Sequence, residues 1–478
     1  MLFNSLSFAL FLPLVFILYW FVAKRELKYQ NILLLVSSYF FYACWDWRFM
    51  FLLVFSTLLD YYTGLKMSES KTAQTKKSWF WLSVIINLGF LGVFKYYNFF
   101  ASSFADLVSN FGMQVSPFTL KVILPVGISF YTFHGLSYVI DIYKNRIKAE
   151  KNFVEYAVFV SFFPLLVAGP IERATHLLPQ IKQKRNFDIL KAKDGIYQII
   201  WGLFKKVVIA DSCAQYANAI FGSYETMNSL SLFMGALYFS FQIYGDFSGY
   251  SDIALGTAKL FGIDLLRNFN FPYFSRDIAE FWRRWHISLS SWFKDYLYIP
   301  LGGSNGGALM RIRNTFIIFI VSGFWHGANW TFIVWGALNA LYFLPLLVMN
   351  RNRNHIKIVA EDRKYPTFRE LFSMTTTFFL VLISWVFFRA DSLSIAFNYL
   401  KRMFAFNFLG GIQYLDIERY TIELLLLLAF FILFEWISRT KEHPFFGKWT
   451  YYRVILILIG IITLGVYSDI TNFIYFQF

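Results

Sequence analysis

The sequence predicts an all-α, polytopic integral membrane protein of roughly 11–13 transmembrane or re-entrant helices, and three observations predict it. Apolar segments of spanning length recur along the whole 478-residue chain. Hydrophobic residues make up 57% and charged residues only 15%, with a mean hydropathy of +0.49, too apolar a balance for an ordinary soluble domain. The basic residues gather in short loops between the apolar segments.

Spans are expected near 5–23, 30–44, 47–66, 78–100, 121–143, 153–169, 194–221 and 229–245, then near 310–322, 324–349, 370–389, 419–438 and 453–470. The first, Ser5–Ala23, has no basic region ahead of it and no small-residue cleavage site behind it, so it reads as a retained span. Aromatic residues reach 22%, including 60 Phe and 30 Tyr, more than interfacial belts use, so many must pack between helices. No fixed-period repeat or low-complexity linker divides the chain, and 1–478 reads as a single membrane domain. The two cysteines, Cys44 and Cys213, suit apolar packing and support neither a disulfide framework nor a metal site.

A net charge of +15 raises the question of nucleic acid, and the placement of the charge answers it. The clusters are Lys24, Arg25 and Lys28; Lys71, Lys76 and Lys77; Lys144, Arg146, Lys148 and Lys151; Lys182–Arg185; Arg351–Arg369; and Arg439–Arg453. This is the positive-inside pattern, with those loops in the cytoplasm and the N-terminus outside. Ala101–Leu120, expected outside, carries no lysine or arginine. Membrane lipids and an anionic cytoplasmic ligand are the partners this pattern implies, not nucleic acid.

The middle third departs from plain spanning sequence. Ala168-Gly169-Pro170-Ile171-Glu172-Arg173 ends one apolar run, and Lys205, Lys206 and Asp211 interrupt the next. Gln242–Asp252 spaces polar residues with glycines and reads either as irregular backbone lining a cavity or as an interfacial loop. Asp246 and Asp252 then help shape that cavity, or pair with basic residues such as Lys205 and Lys206. Across Asp277–Pro300, Ile278, Phe281, Trp282, Trp285, Leu289, Trp292 and Phe293 keep i, i+3, i+4 spacing, which predicts an amphipathic interfacial or re-entrant helix. His286 lies on it one turn from Trp282 and Ser290, as a site residue or as a cap of the polar face. Pro300–Gly307 reads as a turn. His326 lies inside the apolar run Val321–Trp330, where an ionisable side chain is costly and is functional by default. His134, His176, His355 and His443 are assigned to loops, interfaces or packing.

Asn268–Tyr273, Phe281-Trp282-Arg283-Arg284-Trp285-His286-Ile287-Ser288-Leu289-Ser290 and Gly323-Phe324-Trp325-His326-Gly327-Ala328-Asn329-Trp330 together resemble the membrane-bound O-acyltransferase family. Within it the chain is most similar to the bacterial alginate O-acetyltransferase branch, with agreement also at Leu124–Phe130, Gly169–Arg173 and the terminal Phe473–Phe478. The resemblance implies helices around a central tunnel, His326 as the catalytic histidine and His286 at the family's second position. It implies a multi-pass protein of the bacterial inner membrane that draws an acyl thioester, acetyl-CoA in this branch, from the cytoplasm. It also implies an extracytoplasmic acetyl-accepting partner protein and a polysaccharide acceptor such as an alginate-like exopolysaccharide. No bound cofactor is expected.

The chemistry is consistent with the residues. Acyl transfer to a hydroxyl needs a base, and histidine suits it with an ordinary pKa near 6.5. His286, the Gly327 N–H or the Asn329 amide are candidates to orient the acceptor or stabilise the oxyanion. Trp325, Trp285 and Asp246 are expected around substrate. Arg283 and Arg284, with Arg311 and Arg313, are expected either at the phosphates of CoA or as positive-inside anchors. The one Gly-x-Ser-x-Gly match, Gly302–Gly306, lies in the glycine-rich Pro300–Gly307 turn and not on a strand-to-helix elbow, which disfavours a serine acyl-enzyme. Alternatives are O-acylation of peptidoglycan, D-alanylation of teichoic acid from a carrier protein and, from another class, a proton-coupled transporter. No pair of corresponding broken helices in the two halves supports that last alternative.

Overall fold

The computed structural model describes residues 1–23, 26–113, 116–120, 123–166, 169–414, 417, 420, 422–467 and 473–474. Lys24, Arg25 and Ala168, and positions 475–478 of the terminal motif, lie outside the described residues. Every regular element among the described residues is helical. In order these are α1 Leu6–Ile17, α2 Leu27–Ala43, α3 Trp47–Glu69, α4 Ala73–Leu91, α5 Tyr97–Ser109, α6 Ile128–Tyr143, α7 Phe153–Ser161, α8 Phe163–Leu166, α9 Ala174–Ile181 and α10 Ile189–Leu203. The chain continues with α11 Asp211–Gly222, α12 Ser229–Leu260, α13 Ile278–Arg284, α14 Ile287–Phe293, α15 Gly307–His326, α16 Trp330–Val348, α17 Phe368–Arg389, α18 Leu393–Met403, α19 Glu423–Ser438 and α20 Thr450–Leu464.

Four helical stretches among the described residues are long and apolar enough to cross a membrane: 73–109, α15, α16 and α17. The other expected spans are present as helices, but several are shortened, or broken by wide π turns at Leu18–Val22 and Phe204–Ala210. Helix starts follow local chemistry. Ser5, Asp46, Thr72, Asn152 and Ser392 each accept a first-turn N–H, and Thr367 with Glu370 forms a full capping box.

The chain forms two compact units, residues 1–195 with 257–266, and residues 196–256 with 267–478. In the first unit α3, α4 and α6 pack on one another and α2 packs on α7. Several polar groups buried there satisfy one another. Asp60 accepts from Ser83 Oγ at 2.6 Å and Asn87 Nδ2 at 2.7 Å, and Asn31 accepts from Arg185 at 2.6 Å. Glu172, in the motif that ends the 153–169 run, is a hub. It accepts from Leu266 N–H at 2.6 Å, faces His176 Nδ1 at 2.8 Å, and donates its own N–H to His134 Nε2 at 3.1 Å. His134 is therefore a buried packing residue, and His176 belongs to the short loop helix α9.

In the second unit the structure corrects one expectation. Gln242–Asp252 is neither irregular nor a loop; it is the continuous interior of the 32-residue α12. Its glycines serve close approach. A Cβ at Gly249 would sit 2.7 Å from the Gly202 carbonyl oxygen, and one at Gly245 would sit 2.9 Å from that of Lys205. The aspartates face lysines across this contact, Lys205 to Asp252 at 2.5 Å, and Lys206 to both Asp246 and Asp211 at 2.8 Å. The α15–α16 hairpin is built the same way. A Cβ on Gly323 would strike the Phe332 carbonyl, and one on Gly336 the Phe319 carbonyl. α17 then packs against α16.

Two outcomes follow. Gly249→Val must push α12 off the 202–205 backbone, and the expected cost is about 1–3 kcal/mol, read as a lowered melting temperature of the detergent-purified protein; an unchanged melt contradicts the close approach. The Glu172 hydrogen bond raises the His176 pKa above its ordinary 6.5, against an opposing effect of burial. A raised folded-state pKa stabilises fully below the unfolded value and fades as pH climbs through the folded one. The melting-temperature difference between wild type and His176→Gln is thus expected to be larger near about pH 5.5 than near about pH 8.5.

Candidate active site

The centre of the second unit is assembled from a turn and a helix end. The i, i+4 aromatic pattern of 278–293 predicts one helix, but the chain breaks between α13 and α14 at Trp285-His286. His286 adopts a left-handed backbone, φ 44° and ψ 55°, a conformation that costs a non-glycine residue of order 1 kcal/mol and needs outside support. Asn268 gives that support. Its carbonyl accepts the Ile287 N–H at 2.9 Å, and its side-chain oxygen accepts from Ser288 Oγ at 2.9 Å and lies 3.0 Å from His286 Nδ1. With Nδ1 as the donor, the imidazole lone pair is on Nε2. Asn270 N–H to the Arg284 carbonyl, 2.9 Å, ties the same two segments a second time.

His326 is the last residue of α15. Gly327 follows in extended conformation, and Asn329 caps α16 by accepting the Thr331 N–H at 3.1 Å while donating to the Asp391 carbonyl at 2.9 Å. The turn thus carries His326 to within 6.3 Å of His286, ring centre to ring centre, with both side chains buried. Trp325 lies 4.9 Å from the His326 ring and 6.1 Å from that of His286. Trp335 and Phe388 close the other sides of His326 at 5.3 and 5.4 Å, and Phe247 stands edge-on to His286 at 4.6 Å.

A pocket lies towards each end of the α15–α16 hairpin. One, of about 510 Å³, is lined by Lys294, Tyr298, Arg311, Phe319, Asn352 and Arg353 among others. The other, of about 360 Å³, is lined by Gly327, Asn329, Phe332, Phe388, Arg389 and Asp391. Rings join the first to His326: Phe319 meets Trp282 at 5.3 Å, Trp282 meets Trp335 at 5.6 Å, and Trp335 meets His326. Phe388 stands between His326 and the second. An apolar cavity of about 500 Å³ beside α17 and α19 includes neither histidine.

The remaining candidates separate into two groups. Trp285 is packed among Phe269, Phe281 and Trp385 and backs the His286 turn. Arg283 donates to the Asn352 and His355 carbonyls at 2.7 and 2.8 Å, and Arg284 binds Glu280 at 2.8 Å and the Lys357 carbonyl at 3.2 Å. Both therefore strap α13 to the 349–367 loop. Arg313 is turned to Asn314 and the Leu301 carbonyl. Asp246 binds Lys206 and accepts the Ile474 N–H at 2.7 Å, and Phe473 lies beside Phe247 and Tyr250. The basic pocket instead uses Lys294, Arg311 and Arg353. Of these, Lys294 and Arg353 carry no sequence signal beyond lying at a helix end and in a basic cluster. Asn268, eight residues past the long helix, was legible only as part of a family motif.

Comparison of the sequence with known proteins gives the class of this helical protein. Residues 31–388 match the model of MBOAT, the membrane-bound O-acyltransferase family, and the chain belongs to that family. It is an O-acyltransferase. It is 40% identical over 410 residues to the "Probable alginate O-acetylase AlgI" of Pseudomonas aeruginosa, covering 85% of this chain and 75% of that one. It is 38% identical over 437 residues to the "Peptidoglycan O-acetyltransferase" of Helicobacter pylori, covering 85% and 80%. Similarity extends to the "Teichoic acid D-alanyltransferase" of Streptococcus thermophilus, 29% identical over 290 residues, covering 56% and 67%. The transporter alternative falls with this finding.

Lys206 is shared by two buried carboxylates, and removing it leaves both uncompensated. Lys206→Met is expected to cost about 3–5 kcal/mol and to abolish extractable folded protein, while Lys206→Met with Asp246→Asn recovers part of the yield. Normal yield of the single variant contradicts the pairing.

Proposed function

We propose that this protein moves an acetyl group from a cytoplasmic thioester, acetyl-CoA, to a hydroxyl on the outer side of a bacterial inner membrane, for O-acetylation of an extracytoplasmic polysaccharide of the alginate type. The observation that carries the reading is the position of His326, 6.3 Å from His286, with a basic pocket behind it and a mixed aromatic and polar pocket ahead of it. The positive-inside pattern puts the basic pocket in the cytoplasm, because the Arg351–Arg369 loop supplies part of its wall. Lys294, Arg311 and Arg353 suit the phosphates of CoA there, and the ring-lined path suits the thin, largely apolar arm that carries the thioester. The family match runs through both compact units, which supports reading 1–478 as one functional domain.

In this mechanism His326 accepts the proton of the acceptor hydroxyl as its oxygen attacks the thioester carbonyl. The C–O bond forms, the C–S bond breaks, and the proton passes from His326 to the departing thiolate, so that ester and free thiol balance donor and acceptor. His286, its ring fixed through Nδ1 by Asn268, presents Nε2 to the reacting groups. Trp325 supports both rings. Arg283, Arg284, Trp285 and Asp246 act at one remove, by holding the loop, the turn and the Phe473-Ile474 segment. Asn329 sets the direction of α16 and lines the outer pocket. The hydroxyl belongs to the glycan or to a partner protein that relays the acetyl group. Similarity to the peptidoglycan enzyme supports a cell-wall glycan as the second acceptor reading.

The test is the acetyl content of cell-surface polysaccharide at matched membrane protein levels. His326→Ala is expected to lower acetylation by about 10²–10⁴-fold, the usual contribution of a general base, and His286→Ala to lower it by a smaller factor. Unchanged acetylation in His326→Ala contradicts the mechanism.

A further inference from the structure

We infer that the apolar slot between α17 and α19 is a binding site for an anionic phospholipid, which seats one acyl chain in the slot and its phosphate at Lys364 and Arg369. The site is separate from both histidines and does not rest on the proposed direction of transfer.

The slot, of about 500 Å³, runs along residues 371–378 of α17 and 429–436 of α19. These are the halves of the two helices nearest the basic clusters 351–369 and 439–453. It opens sideways: Leu371 and Leu433 on its walls are 50% and 54% exposed, on helices whose outer faces are apolar. Its floor is aromatic, with neighbouring ring centres of Phe241, Tyr273, Phe378 and Phe431 lying 4.9–6.3 Å apart.

The polar side chains of the wall are already engaged. The Tyr244 hydroxyl donates to Glu435, the Tyr273 hydroxyl to the Ser240 carbonyl at 2.5 Å, and Trp436 Nε1 to the Lys364 carbonyl at 3.0 Å. Such a wall offers little to a polar ligand, and an apolar volume open to the bilayer takes a hydrocarbon chain. The volume is that of a small-molecule site.

The head end distinguishes this site from bulk lipid. Tyr365 and Trp436 close the slot with the amphipathic rings that suit a membrane interface. Lys364 Nζ lies 5.3 Å from the centre of the Tyr365 ring, which puts its charge at the mouth. Arg363 is taken by Glu370 at 3.0 Å, whereas Lys364 and Arg369 are exposed and have no ion-pair partner among the described residues. The 351–369 cluster holds six Lys and Arg against two Asp and Glu. Basic side chains at the end of a cleft between membrane helices match an anionic headgroup. Tyr244 and Tyr273 each lie 6.1 Å from Trp285, which backs the His286 turn, so a seated chain braces that packing.

The experiment places the full chain in phosphatidylcholine bilayer discs that carry a trace of phosphatidylglycerol or phosphatidylcholine with a photoreactive acyl-chain end. Labelled residues are mapped by mass spectrometry and normalised to label on the lipid-facing Ile462 of α20, which is 73% exposed. In wild type the phosphatidylglycerol probe is expected to label Met374, Phe378 and Phe431 about fivefold or more above the phosphatidylcholine probe, as one basic side chain near a headgroup provides. Lys364→Gln with Arg369→Gln, both at exposed positions, is expected to bring that ratio to about one while the floor is still labelled. Ala429→Trp, on the exposed part of the slot wall, is expected to abolish floor labelling by both probes and leave label on α20. An unlabelled floor in wild type, or floor label that persists in Ala429→Trp, overturns the chain site. Equal labelling by the two probes in wild type, or a ratio that survives the double substitution, overturns the headgroup assignment.

Discussion

Asn268 fixes a backbone turn that no local sequence preference produces. Its main chain receives the Ile287 N–H and its side chain engages both Ser288 and His286. Those three contacts hold a histidine in the left-handed region and stop α13 before it runs into α14. Without the break, residues 278–293 form one amphipathic helix and the His286 ring turns away from the end of α15. The pairing of the two histidines at 6.3 Å, the position of Trp325 against both, and the stack of rings leading to Trp335 all follow from that turn.

A second constraint is the cost of charge away from water. In the second unit Lys205 and Lys206 face Asp252 and Asp246 across a glycine-lined contact and Lys206 also meets Asp211 on its own segment, so each charge has a counter-charge within 2.8 Å. Asp246 also receives the Ile474 N–H, which ties residues 473–474 to the same network and brings Phe473 against Phe247, the ring that stands on His286. Arg276 and Arg284 pair with Glu280 and, like Arg283 and Arg439, also spend donors on carbonyls of the 349–367 loop. The loop is thereby held as one wall of the basic pocket.

How much of this was legible follows from range. An ionisable residue in the apolar run 321–330 marks His326 from sequence, because bilayer solvation makes such a residue rare. The helical class and most helix positions follow from hydropathy. Gln242–Asp252 misleads because glycine and aspartate signal breaks in water, whereas here the glycines meet the 202–205 backbone and the aspartates meet lysines about forty residues away. The break at His286 has no proline or glycine to announce it and depends on a partner eighteen residues upstream. Arg283 and Arg284 look like phosphate ligands by type and place, but their donors already serve carbonyls and Glu280. Sequence reports that a charge exists; only the fold reports what it faces.

The central claim is that one buried histidine joins a donor on one face of the membrane to an acceptor on the other. It is tested most directly in sealed vesicles carrying the purified protein in a single orientation, with radiolabelled acetyl-CoA on one side and a hydroxyl-bearing oligosaccharide on the other. Labelled ester is expected only when the donor is on the face that carries Lys294, Arg311 and Arg353 and the acceptor is on the face that carries Arg389. Ester formed only when both substrates share a side contradicts the account.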